Sequence, residues 1–285
     1  MKIIQVSKLP NVDYREYVKR TALEKDFKTL IKEPCILMEG ETVLCIYNIV
    51  DIDTAELVKD LKSLKYHEGY RTRGLKSLSR IFGFRPRSPI RGEYCSSTSL
   101  ATENPEVHAR VCNLALDIEK YYEKYSPKVY AEHKAETDSK IKDIYKIQGK
   151  SLFTSGIINK NNPLKYHFDS GNFNGVYSMM IVFKSGIQGG YLSLPEYGIG
   201  LELPNNAVLM FDGQSILHGV TPITKTTPES HRFSIVYYSL KQMWKCLALD
   251  EELARIRNKK RKREVMRFDM PPEHYATLKG RRGKQ

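Results

Sequence analysis

The chain has 285 residues, 41% of them hydrophobic, with a single Trp; that is enough for one large domain with a sizeable core. No run approaches the roughly 18 consecutive apolar residues of a membrane span, so no membrane partner is expected. The formal net charge of +13 is unevenly spread: residues 59–91 carry ten Lys and Arg against Asp60 and Glu68, a local +8, and residues 255–285 carry twelve against Glu264, Asp269 and Glu273, a local +9. Two basic clusters on a near-neutral body suit a polyanion-binding surface, although either alone also fits a solvated, solubilising one.

In chain order, Met1-Lys2-Ile3-Ile4-Gln5-Val6 has no signal-peptide core, and a cytoplasmic location is expected. Residues 1–150 read as mixed and mostly helical, a support for the β-rich half of the chain. Apolar runs at 6–8 and 35–48 suit strands flanking the core. Residues 54–64 form a helix pattern, with Thr54 as N-cap and Leu57 and Leu61 four apart. Residues 104–125 form a stronger one, with Pro105 in the first turn and Val107, Val111, Leu114, Ile118 and Tyr121 on one face. Between them, Arg85-Pro86-Arg87-Ser88-Pro89-Ile90-Arg91-Gly92 is a rigid loop whose three arginines suit phosphate or co-substrate contacts. Cys35, Cys45, Cys95, Cys112 and Cys246 are odd in number and include no CxxC pair, so free thiols are expected.

From residue 151 the pattern changes to short apolar runs at 153–159, 177–184, 190–194, 199–203, 207–211, 216–220 and 233–240, separated by Gly, Pro, Asn and Asp turn signals. Strands at this spacing predict a double-stranded β-helix (a cupin-like jelly roll) at 151–250, within an α+β fold that makes residues 1–250 a single domain. Residues 251–285 read as a basic helix with acidic residues at its start, then a disordered tail.

The chemistry is concentrated in His167-Phe168-Asp169, His218 and Arg232-Phe233-Ser234. In an extended segment His167 and Asp169 share a face. His218 comes later, inside the penultimate strand run, where a jelly roll can return it beside that pair. Two imidazoles and a carboxylate can cap one face of an Fe(II) ion and leave positions open for a 2-oxo acid and O2. Arg232, a permanently charged fork, suits the distal carboxylate of 2-oxoglutarate, with Ser234 on the same strand face. His231 should face the other way, and His67, His108, His133 and His274 are expected to face solvent.

At these residues the chain resembles the TET/J-binding-protein family of Fe(II)/2-oxoglutarate DNA base oxygenases, most closely its bacteriophage branch. The resemblance spans about residues 85–249. It rests on Arg87-Ser88-Pro89-Ile90-Arg91-Gly92-Glu93-Tyr94-Cys95, Asn159-Lys160-Asn161, His167-x-Asp169-x-x-Asn172, Gly189-Gly190-Tyr191-Leu192, Phe211-Asp212-Gly213-x-x-x-x-His218-Gly219 and Arg232-x-Ser234. It implies that His167, Asp169 and His218 bind iron, that Arg232 and Ser234 bind 2-oxoglutarate, and that Asn172 touches the target base. The implied reaction is hydroxylation of the 5-methyl group of 5-methylcytosine, or alternatively of thymine, in a duplex whose target nucleotide is flipped out. A phage source would place this in the host cytoplasm. Several relatives carry an Arg near Pro163 that helps hold the 2-oxo acid, and Lys165, Arg91 or Arg87 must take that role here. Tyr94, Phe173 and Tyr177 are candidate stacking partners for the base. Arg85, Arg87, Arg91, Lys259, Lys260, Arg261, Lys262 and Arg263 are candidate phosphate contacts. A hydroxylase of proteins or small molecules shares the triad but has no need of two basic clusters. A monomer is the default assembly.

Overall fold

The structure, a computed structural model, describes residues 1–10, 13–71, 75–88 and 93–268. Among the described residues, seven strands precede residue 100: β1 (Lys2–Gln5), β2 (Thr29–Ile31), β3 (Cys35–Glu39), β4 (Thr42–Ile49), β5 (His67–Arg71), β6 (Leu75–Arg85) and β7 (Ser96–Ser97). The helices α1 (Ala55–Ser63), α2 (Leu100–Glu103), α3 (Pro105–Tyr125) and α4 (Pro127–Lys140) complete this half. Then come β8 (Ser155–Lys160), β9 (Leu164–His167), β10 (Ser178–Ser185), β11 (Ile187–Gly189), β12 (Leu192–Leu194) and β13 (Ile199–Leu201). The described residues end with β14 (Ala207–Phe211), β15 (His218–Val220), β16 (Ile223–Lys225), β17 (His231–Tyr238) and the helix α5 (Leu249–Phe268).

Ten strands form one large sheet in the order β1-β3-β4-β14-β10-β17-β8-β6-β5, with β7 paired to β6; five form a smaller one, β2-β13-β12-β15-β9. Side-chain alternation along the central strands separates the layers. On β10, Met179, Ile181 and Phe183 join Phe233, Ile235 and Tyr237 of β17 in a core under α3. The intervening Met180 and Val182 pack with Leu192, Leu194 and Leu201 of the small sheet. The result is helices on a large sheet on a small sheet, the mixed α+β architecture with a jelly-roll centre that the strand spacing predicts. No helix among the described residues is long and apolar enough to cross a membrane.

The first half is far more β-rich than its sequence suggests, and five of its seven described strands belong to the large sheet's main path. β6 is hidden in the sequence because Leu75-Lys76-Ser77-Leu78-Ser79-Arg80 mixes charge into a strand whose Arg80 is buried and ion-paired to Glu103 at 2.7 Å. Helix α4 is hidden because it buries only His133 and Thr137 and so has no apolar stripe. His133 is not solvent-facing: it is fully buried, its Nε2 lies 2.8 Å from Ser239 Oγ, and its ring packs edge-on against Phe153 and Phe173. His108 is half-buried and its Nε2 accepts the Gly83 N–H at 3.1 Å. His274 lies outside the described residues.

The expectation of free thiols fails for two of the five cysteines. Cys95 and Cys246 form a disulfide across 151 residues of sequence, whereas Cys35, Cys45 and Cys112 are free and buried. On chain-entropy grounds such a long closed loop contributes roughly 4–5 kcal/mol against unfolding.

Burial pushes the His133 imidazole down to about 3, so it stays neutral in the folded state while the unfolded chain takes up a proton near the usual value. A depressed folded pKa gives stability that is complete above about pH 6.5 and is lost as pH falls towards 3. Between pH 7 and pH 5 this group should cost the fold about 2 kcal/mol. Urea unfolding at the two pH values measures it: His133→Phe should show a correspondingly smaller loss than wild type, and equal losses would contradict the assignment.

Candidate active site

The two sheets enclose a cavity of about 390 Å³. Its metal-ligand wall is made by the pairing of β9 with β15, whose register sets His218 directly opposite His167. Cross-strand neighbours lie close enough for their side chains to meet, and here the ring centroids are 4.4 Å apart. Asp169 comes just after β9 with its backbone N–H on the Gly213 carbonyl at 2.8 Å, which turns its carboxylate back towards both rings. Asp169 Oδ1 lies 3.4 Å from His167 Nε2 and 3.9 Å from His218 Nε2, and the three donors fall within 4.8 Å of one another.

Both imidazoles are set in the same tautomer. His167 Nδ1 lies 2.8 Å from the Lys165 carbonyl oxygen and His218 Nδ1 lies 2.9 Å from that of Ile216. A carbonyl only accepts, so each Nδ1 carries the proton and each Nε2 lone pair faces the carboxylate. Burial holds the His218 ring below its usual pKa, partly opposed by Asp169. A neutral imidazole is the state a metal needs.

The opposite wall comes from β17, where Arg232, Ser234, Val236 and Tyr238 face the cavity at every second residue. Arg232 is 2% exposed, and its Nε and Nη2 have no hydrogen-bond partner among the described residues. Burial alone pulls it down to about 10, which leaves it charged at neutral pH. Its backbone is pinned by Asn161, whose Oδ1 accepts the Arg232 N–H at 2.7 Å, and Gly190 passes so close that a Cβ there would sit 3.1 Å from Arg232 Cδ. An unpaired buried guanidinium costs several kcal/mol unless an anion meets it. The donor set therefore fits both absent groups: His167, Asp169 and His218 fit a divalent iron, and Arg232 fits the distal carboxylate of a dicarboxylic acid.

Ser234 lies beside Arg232 in the wall and receives the Asn159 amide N–H at 3.4 Å. Asn159 and Asn162 also line this end, although Asn162 is committed to Leu78, whose N–H and C=O it meets at 2.9 Å each. At the other end are Asn172, Ser178, Tyr238 and Leu240, with Asn172 Nδ2 2.7 Å from Ser178 Oγ. The sequence does not single out Tyr238, Ser178 or Asn159 as site residues. Tyr238 is within reach of sequence reasoning, being in phase with Arg232 and Ser234.

Several expected positions are elsewhere. Lys165 is not among the residues lining the cavity; its carbonyl accepts from His167 Nδ1. Phe173 is fully buried between His133 and Trp244, and Tyr177 stacks on Tyr122, so both are core and not stacking partners for a ligand. Tyr94 is exposed but outside the cavity. Arg87 does not reach the site, because Nε and Nη2 are bound to buried Glu252. Arg85 donates from Nε to Ser96 Oγ at 2.9 Å, and Arg91 lies outside the described residues. Lys259 and Arg263 are paired with Glu93, whereas Lys260, Arg261 and Lys262 are exposed. His231 packs on Phe233, on the face away from Arg232.

Two substitutions test this geometry. A Cβ at Gly213 would sit 2.3 Å from Asp169 Oδ2 and 3.0 Å from its Cγ. Gly213→Ala should therefore weaken Fe(II) binding about tenfold or more, read by titration under nitrogen, with little change in melting temperature. Arg232→Met should raise the KM for 2-oxoglutarate about 100-fold, since one member of a buried charge pair is removed. An unchanged iron affinity or KM would contradict the respective role.

The model of the Tet_JBP family, the oxygenase domain of the 2OGFeDO superfamily, matches residues 86–241. Thymine dioxygenase JBP1 of Trypanosoma brucei brucei is 28% identical over 109 residues, which are 38% of this chain and only 13% of that protein. NgTET1, solved in complex with 5mC DNA, has the same fold, with a TM-score of 0.59 at 17% identity over 86% of this chain and 84% of that one. The superfamily uses Fe(II), 2-oxoglutarate and O2, and the residues that fit iron and a dicarboxylate meet in one cavity within the matched segment. The chain belongs to the Tet_JBP family of Fe(II)- and 2-oxoglutarate-dependent oxygenases.

Proposed function

We propose that this chain hydroxylates the 5-methyl group of 5-methylcytosine in DNA. One observation carries the reading: a single cavity has the His167–Asp169–His218 donors in one wall, the buried Arg232 at one end and the polar and aromatic pair Asn172 and Tyr238 at the other. That division suits a co-substrate at the Arg232 end and a planar base at the Asn172 end. When bound, iron with 2-oxoglutarate and O2 supplies an oxidant able to hydroxylate a C–H bond, while 2-oxoglutarate is converted to succinate and CO2.

The residues of this chain then bind and orient. Arg232 and Ser234 fix the co-substrate, and the apolar side chains of Ile157, Met180, Leu192 and Val220 keep water from the reacting centre. Asn172 presents an amide with both a donor and an acceptor to the pyrimidine edge, and Tyr238 offers a ring for stacking. A base paired inside a duplex cannot reach donors sunk in such a cavity, so the target nucleotide must leave the stack, at a cost of a few kcal/mol. Phosphate contacts from the basic regions offset that cost, and binding should weaken steeply with salt. The NgTET1 complex with 5mC DNA favours methylated cytosine, and the thymine dioxygenase name of JBP1 makes thymine the alternative base.

The test is anaerobic loading with Fe(II) and 2-oxoglutarate, admission of air with methylated or unmethylated duplex, and mass spectrometry of the nucleosides. Hydroxymethylcytosine from the methylated duplex alone is expected. Hydroxymethyluracil from both duplexes would move the assignment to thymine, and neither product would overturn a DNA substrate. Asp169→Ala should abolish product while leaving duplex affinity within about twofold, because the carboxylate serves the metal and not the phosphates. Turnover at the wild-type rate would overturn the metal assignment.

A further inference from the structure

The helix α5 is fastened to the body by buried groups that the catalytic site does not use. Cys246, just before the helix, is joined by the disulfide to Cys95 at the end of the Pro-rich loop. Glu252, on the first turns of α5, is 1% exposed; its carboxylate accepts from Arg87 Nε at 3.0 Å and from the Leu247 N–H at 2.9 Å. Arg255, Lys259 and Arg263 recur every four residues and so share one side of the helix. All three reach Glu93: Arg255 Nη1 donates to its carbonyl at 2.7 Å, Lys259 Nζ to its carboxylate at 2.7 Å, and Arg263 to the other carboxylate oxygen. The cluster around the disulfide includes Phe173, next to Asn172, and packs against Leu240, which is itself part of the cavity wall.

This lacing divides the helix's cations. Those facing the body are tied to Glu93, Arg255 by its carbonyl and Lys259 and Arg263 by its carboxylate. Arg257 and Arg261 fall on the other side, with Lys260 at its flank, and all three are exposed. Two turns of helix with three outward cations, held to the cluster that packs on Leu240 at the Asn172 end of the cavity, offer the positive charge that a phosphate backbone attracts. A free basic tail of the same composition would lose conformational entropy on binding, whereas a fastened helix has already lost it.

We propose that α5 is a duplex-binding arm whose outward cations Arg257, Lys260 and Arg261 grip the DNA backbone beside the target base, and that the Cys95–Cys246 disulfide with the Glu93 and Glu252 contacts holds it there. The inference rests on DNA being the substrate. It makes duplex affinity, but not co-substrate binding, depend on the oxidised strap. A dithiol reductant opens the strap by exchange: the S–S bond breaks, Cys95 and Cys246 each gain a hydrogen, and the dithiol leaves as its cyclic disulfide.

The experiment compares full-length oxidised protein, the same protein reduced with dithiothreitol and then reoxidised, and Cys95→Ser/Cys246→Ser. The probe is a fluorescein-labelled duplex carrying one 5-methylcytosine, titrated at several salt concentrations, with anaerobic 2-oxoglutarate binding measured alongside. Opening the strap should raise the duplex Kd about tenfold or more near 0.15 M salt and flatten the salt slope, with 2-oxoglutarate affinity unchanged and reoxidation restoring the grip. Replacing the three outward cations by Gln with the strap intact should lower the slope by about 2–3. A duplex Kd within twofold after opening, an unchanged slope in the Gln variant, or loss of 2-oxoglutarate binding along with DNA binding would each overturn the proposal. If oxidised wild type neither binds the duplex nor oxidises its base, the DNA reading itself falls; if it does both and opening the strap changes nothing, only the arm falls.

Discussion

The pairing of two very short strands, β9 with β15, is the constraint on which the rest depends. A slip of one residue in either strand would turn its imidazole to the other face and dismantle the donor set. Strands of four and three residues do not hold a register by themselves, and the surrounding structure does it for them. Tyr166, between the pair's ends, is fully buried, its hydroxyl is 2.7 Å from Ser193 Oγ, and its backbone exchanges hydrogen bonds with the 19–20 segment. Gly219 admits Ala22 and Tyr166 at distances where a Cβ would collide. The N-terminal segment is therefore a brace for the metal wall and not an appendage.

The large sheet supplies what the small one lacks. Because β17 is buried on both faces, one set of its side chains can build the core under α3 while the other set builds the cavity. Sinking Arg232 into that second face is unfavourable unless an anion joins it, so the protein commits stability to recognising a carboxylate. The buried His133–Ser239 contact behind Asn172 and Leu240 ties the far end of the same strand to α4. The metal wall on β9 and β15 and the anion site on β17 are thus held by separate elements, and each can be perturbed alone.

The triad and Arg232 are legible in the sequence because their spacing coincides with strand positions and because few other roles fit two imidazoles, a carboxylate and a guanidinium. The central strands are legible from apolar runs bounded by turn residues. The rest is hidden for physical reasons. Phe173 and Tyr177 stand next to the metal motif in sequence, but their side chains fall on the core side. Arg87, Lys259 and Arg263 look like free cations until the fold brings Glu252 and Glu93 to them from distant parts of the chain. The same long-range closure brings Cys95 to Cys246, and no local pattern encodes it. β6 and α4 escape because buried Arg80 and His133 replace the apolar residues that mark a sheet or helix face.

The most direct measurement is the ratio of succinate formed to base oxidised on a duplex carrying a single 5-methylcytosine. If the cavity couples its Arg232 end to its Asn172 end as described, each succinate accompanies one hydroxymethylcytosine, and an unmethylated duplex gives neither above background. Succinate formed at the same rate with and without the methylated duplex, and no oxidised base, would contradict the account.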